Sequence, residues 1–112
     1  MLPKENRIKK RKDFDEIFKK GKIFRSDSLI FKFKKNNLKK SRFGFVVSLK
    51  VSKSAVVRNK IRRRMSEIIG QNMDSIKNGT DLVIIALPGF EKKGFLETKE
   101  IISNFIKKCL NF

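Results

Sequence analysis

Five cations, Arg58, Lys60, Arg62, Arg63 and Arg64, fall within seven consecutive positions of the stretch Ser54-Ala-Val-Val-Arg-Asn-Lys-Ile-Arg-Arg-Arg64. Guanidinium groups grip phosphate oxygens two at a time, an ammonium acts as a point charge, and Asn59 adds a directional hydrogen bond. The chemistry open to this set is phosphate recognition. Solvated helix faces usually mix signs, because like charges three or four residues apart cost roughly a few tenths of a kcal/mol per pair. Here no acid occurs between Asp27 and Glu67, and Lys50 and Lys53 extend the positive run upstream. A polyanionic partner resolves that conflict.

Carboxylates that could hold Mg²⁺ for phosphodiester cleavage cluster only at Asp13, Asp15 and Glu16, with Glu97 and Glu100 as a second pair. Both sets open predicted helices, where acids complement the macrodipole. The sequence therefore assigns them to capping, and assigns the chain no catalytic residue and no metal ligand. Cys109 is the only cysteine and histidine is absent. That excludes an intrachain disulfide, a Cys/His zinc site and any Ser-His or Cys-His nucleophile pair. Cys109 reads as a core or edge filler.

These groups must be positioned by a small fold. The 112 residues make one domain, 1–112, with 29 Lys and Arg against 11 Asp and Glu, a net charge of +18. Nucleic acid is the first partner this charge selects and an anionic membrane the second. The longest apolar run, Leu82-Val-Ile-Ile-Ala-Leu87, is too short to span a bilayer, and every apolar stripe is needed by the core. The basic N-terminus lacks the continuous apolar segment of a secretory signal. A cytoplasmic location is expected. With 11 Phe and neither Tyr nor Trp, base stacking by a ring must use phenylalanine.

The spacing predicts a helix over 13–20, capped by Asp13 with Glu16 in capping-box position and ended by Gly21. Residues 23–33 alternate, with Leu29, Phe31 and Phe33 on one face and Ile30, Lys32 and Lys34 on the other, which predicts one strand. After a polar turn, residues 42–49 predict a second strand, paired with the first as a hairpin. A helix begins at Ser54, with Val57, Ile61, Met65, Ile68 and Ile69 on its apolar arc. Asn59, Arg63 and Ser66 point the opposite way, and Arg58 and Arg64 stand at the margins, where their stems can pack. Residues 80–87 predict a central strand, broken by Pro88-Gly89 and followed by a mobile Lys92-Lys93-Gly94. A last helix over 96–110 carries Ile101, Ile102, Phe105, Ile106 and Leu110. The order α-β-β-α-β-α predicts an α/β sandwich, one sheet with helices against it. Phe31, Phe33, Phe43, Phe45 and Phe105 hold core phase. Phe14 and Phe18 could staple the first helix to the sheet or line a groove beside Ile30 and Lys32.

Residues 50–67, KVSKSAVVRNKIRRRMSE, resemble the signature of the bacterial ribonuclease P protein subunit. That signature is a basic loop, a small polar residue, Ala-Val, then Arg-Asn-Arg with further cations one turn on. The resemblance extends to Leu2-Pro-Lys-Glu-Asn-Arg-Ile8, Asp13-Phe14, Phe18-Lys-Lys-Gly21, Phe43-Gly-Phe-Val-Val-Ser48 and Asp81-Leu-Val-Ile-Ile-Ala86. Lys60 stands where Arg is usual, Ser54 for Asn, Ser66 for a common Arg and Lys32 for a groove aromatic. The resemblance implies a mixed sheet with three helices and a left-handed βαβ crossover through the signature helix, against the general rule. It further implies an accessory subunit of an endoribonuclease that removes the 5′ leader of precursor tRNA. The catalytic RNA would supply the chemistry and require Mg²⁺, and no protein partner would be needed. Lys50, Lys53, Arg58, Asn59, Lys60, Arg62 and Arg63 would contact that RNA. Phe14, Phe18, Ile30, Lys32, Gly44 and Val46 would hold the single-stranded leader. A structural RNA-binding protein of ribosomal type is the alternative.

Overall fold

The computed structural model describes residues 2–110. Helix α1 spans Arg11–Lys20, strand β1 Lys22–Ser26, β2 Leu29–Lys35, β3 Arg42–Val47, helix α2 Ala55–Gln71, strand β4 Thr80–Ala86 and helix α3 Phe95–Phe105. A π-helical turn, Ile106–Leu110, continues α3 to the end of the predicted helix. The four strands form one mixed sheet in the order β1-β2-β4-β3, with β4 antiparallel to β2 and parallel to β3.

Two expectations about the strands fail here. Residues 23–33 are two strands, because Asp27 turns the chain in the left-handed region at φ 56° and sends β2 back along β1. Asp tolerates that region because its short side chain carries little steric penalty there. The hairpin is therefore β1–β2, and β2 and β3 are not neighbours. The near-continuous apolar strand β4 inserts between them and is buried on both faces, as a central strand must be.

The strand period sorts the side chains into two cores. Leu29, Phe31, Phe43, Val47, Leu82, Ile84 and Ala86 meet Ile61, Met65, Ile68 and Ile69 of α2 and Ile102 and Phe105 of α3. The rings of Phe31 and Phe105 stack at 4.0 Å between centroids, and Phe24 and Phe33 pack around Phe105. On the opposite face, Ile17, Phe14 and Phe18 of α1 close over Val83, Val46 and Ile85, with Ile8 beside them. Cys109 packs at the margin of the larger core.

Helix α1 begins two residues earlier than expected, and Lys10 at its N-cap supplies no side-chain hydrogen bond. Asp13 is not the cap. It turns to Arg42, whose guanidinium donates to it at 3.2 Å and makes two bonds to the buried Asp81 at 3.0 and 2.7 Å. Asn36 Nδ2 donates to the same Asp81 carboxylate at 2.6 Å. This network ties α1, β3, β4 and the 36–41 turn together. The Asp81 hydrogen bond raises the Arg42 pKa above its ordinary value, against the opposing effect of burial. Lys93, expected in a mobile segment, lies between Asp27 and Glu97 at 2.5 and 2.8 Å.

Candidate nucleic-acid interface

Ser54 starts α2 as expected: its Oγ accepts from the Val57 N–H at 3.3 Å. The preceding loop is pinned by the buried Val51 and by serine hydroxyls. Ser48 Oγ accepts from the Lys50 N–H, and Ser52 Oγ accepts from the Ser54 N–H, both at 3.2 Å. Lys50 and Lys53 thus stand on an ordered platform beside the helix.

The signature cations divide into two groups. Arg58 donates to the Ser52 carbonyl at 3.0 Å, clasping the loop to the helix. Arg62 donates to Asn59 Oδ1 at 2.7 Å and reaches the Val47 carbonyl at 3.4 Å, clasping the helix to the edge of β3. The side chains of Lys50, Lys53, Lys60 and Arg63 are exposed and make no hydrogen bond or ion pair among the described residues. Their full charge is presented outward. Arg64 lies half-buried at the margin, 5.9 Å from the Phe95 ring centroid, and donates to the Lys93 carbonyl at 3.4 Å. Ser66, expected on the outward face, is buried, because the N-terminal segment folds over that side of α2 and brings Leu2 into the core.

The second set of residues surrounds α1. Phe14 and Phe18, with ring centroids 6.4 Å apart, pack on the sheet and remain half-buried, so they staple the helix to it, and Phe14 also lines a cavity. Gly44 permits this: a Cβ there would lie 2.6 Å from the Phe14 ring. Beyond α1 the register aligns Arg25, Ile30, Ile85 and Val46 in one row across the sheet, with the three aliphatic residues only partly covered. Lys32 donates to the Phe18 carbonyl at 3.1 Å and lies 5.4 Å from the Phe18 ring centroid. It caps the C-terminal end of α1, where a cation is favoured. A cavity of about 620 Å³ along the edge of β3 links the two sets, since Phe14, Gly44, Asn59, Arg62 and Arg63 all line it.

The carboxylates do not assemble a metal site. Asp13 is held by Arg42, Glu16 pairs with Lys34 at 3.5 Å, and Glu97 pairs with Lys93. No group of three or more His, Cys, Asp or Glu able to hold a metal ion occurs among the described residues. No helix among them is long and apolar enough to cross a membrane.

A family model described as Ribonuclease P matches residues 2–110. The chain belongs to the ribonuclease P protein family. A ribonuclease P protein component of Clostridium kluyveri is 40% identical over 105 residues, covering 92% of this chain and 93% of that protein. One of Clostridium botulinum is 38% identical, covering 95% and 96%. The solved structure of the Staphylococcus aureus RNase P protein superposes with a TM-score of 0.87 at 29% identity, over 96% of this chain and 97% of that one. A Staphylococcus aureus variant described as defective in mRNA degradation activity gives 0.86 at 29% identity, over 94% and 88%. These matches decide between the two readings of the sequence in favour of a ribonuclease P subunit, and so place the chain in tRNA processing. The sheet with its three helices is the architecture of these ribonuclease P proteins.

The sequence reading missed the Asp13–Arg42–Asp81–Asn36 network and the strap made by Leu2, Arg7 and Ile8. Neither has a periodic signal, since each depends on residues distant in the chain. Asp81, an acid opening an otherwise apolar strand, was the one visible anomaly.

Proposed function

We propose that the chain is an accessory subunit without cleavage chemistry of its own, which binds the catalytic RNA of ribonuclease P and the 5′ leader of precursor tRNA. The observation that carries this reading is the set of outward, unpaired cations at Lys50, Lys53, Lys60 and Arg63, the last of them lining a cavity that holds no acid. Arg58, Asn59 and Arg62 brace that surface from within and retain free N–H groups for phosphate. The single-stranded leader lies over Phe14, Phe18, Ile30 and Val46. Gly44 sets the ring position, and the Lys32 charge stands beside it. A groove of about 4–8 nucleotides would tolerate any sequence, because stacking and phosphate attraction carry little base information. Mg²⁺ supplies phosphodiester chemistry when bound by the RNA; the protein neutralises phosphates and orients the leader. The assembly needs no further protein and acts in the cytoplasm.

The test compares the isolated chain with the chain reconstituted on ribonuclease P RNA at low Mg²⁺. The isolated chain is expected to leave both precursor tRNA and mRNA intact, and the reconstituted complex to release the leader. Hydrolysis of either RNA by the purified chain alone would overturn the accessory reading.

A further inference from the structure

We propose that the cavity along the edge of β3 is a pocket for one unstacked RNA base, adjoining the groove over the sheet face and sharing Phe14 and Gly44 with it. The proposal rests on the RNA-binding reading above. The cavity is bounded by the N-terminal strap on one side and by α2 on the other. Its volume of about 620 Å³ lies within the range of small-ligand sites. Its apolar wall comes from Leu2, Ile8, Phe14, Phe43, Phe45 and Val56, and no acid lines it.

Three features give the pocket the chemistry of a nucleotide site. The first is a ring: Phe45 keeps core phase on its strand yet stays partly exposed, because β3 is the sheet edge. The second is a readable polar edge. The Phe43 carbonyl accepts from the Ile8 N–H at 2.9 Å, and the Val47 carbonyl meets Arg62. Phe45 lies between them in the same phase, so its N–H and C=O also face outward, away from β4. Asn59 spends its carbonyl oxygen on Arg62, which leaves its amide N–H groups to donate. A base therefore meets a donor pair and a main-chain donor and acceptor, the pattern used for unpaired bases. The third is charge on both rims, Arg7 on the strap and Arg62 and Arg63 on α2, which can meet the phosphates flanking a seated base. Arg7 is itself steadied, its Nε donating to the Leu2 carbonyl at 2.7 Å.

The chain contains neither Trp nor Tyr, so Val56→Trp, at an exposed residue on the pocket rim, creates a single fluorophore there. Short single-stranded oligoribonucleotides, intact or with one abasic position moved along the strand, are the probes. The intact strand is expected to quench the tryptophan saturably. One abasic position should abolish the quench and weaken binding about five- to a hundredfold. In the otherwise unaltered chain, Phe45→Leu keeps an apolar side chain on the strand; it should weaken the intact strand similarly and leave that abasic strand unchanged. Equal binding and quenching by intact and abasic strands would overturn the pocket while leaving RNA binding by the cationic surface in place. Failure of every strand to bind, with Lys60→Ala and Arg63→Ala equally silent on ribonuclease P RNA, would overturn the underlying reading as well.

Discussion

At the residue scale, cations that look equivalent in the sequence do different work. Lys60 and Arg63 are free, whereas Arg58 and Arg62 each hold a piece of backbone. Replacing Lys60 and Arg63 together with Ala should lower the slope of log K against log salt by about 0.7–0.9 per cation, for ribonuclease P RNA. The thermal unfolding of the protein should stay within about 0.5 kcal/mol of the parent, since neither head is packed. Asp81 behaves oppositely. It is 1% exposed and takes three hydrogen bonds from Arg42 and Asn36. Asp81→Asn leaves Arg42 without its main counter-charge and should cost about 3–5 kcal/mol in urea unfolding. The cationic face of α2 was legible from charge density alone. Which of its cations also brace the fold was not, because Ser52 and Val47 carry no sequence mark as their partners.

At the element scale, what repeats locally was readable and what pairs at a distance was not. The apolar arc of α2, its Ser54 cap and the central burial of β4 follow from period and composition. The β1–β2 turn hides inside an alternating run because Asp27 and Ser28 look like any exposed pair until Asp27 takes a positive φ. The parallel placement of β3 beside β4 through α2 is a crossover that no local signal encodes; only the family resemblance implied it. The junction of α1 with β3 depends on Gly44. Gly44→Ala would drive a methyl group into the Phe14 ring and tilt α1 off the sheet. Overpacking of this kind costs about 1–3 kcal/mol. Guanidinium titration should show that loss, and the preference of the reconstituted complex for leader-bearing tRNA should fall with it.

At the scale of the whole molecule, charge opposes folding. With +18 on 112 residues, six of the 11 acids, Asp13, Asp81, Glu16, Glu5, Asp27 and Glu97, already pair with cations within the fold. None stands between Asp27 and Glu67 to relieve the signature surface. Anions that bind the folded state must therefore stabilise it by mass action. Sulfate should raise the melting temperature in far-UV circular dichroism more than chloride at equal ionic strength; equal effects would reduce the influence of sulfate to screening. Net charge selected a nucleic-acid partner at once. The continuity of the cationic helix with the groove under α1 appeared only in three dimensions, at the open edge of β3. The most direct measurement is the affinity of the complex reconstituted on ribonuclease P RNA for precursor tRNAs of graded leader length. Affinity should climb with each added nucleotide and level off at about 4–8. An affinity indifferent to leader length, equal to that for mature tRNA, would contradict the groove and the role assigned to the chain.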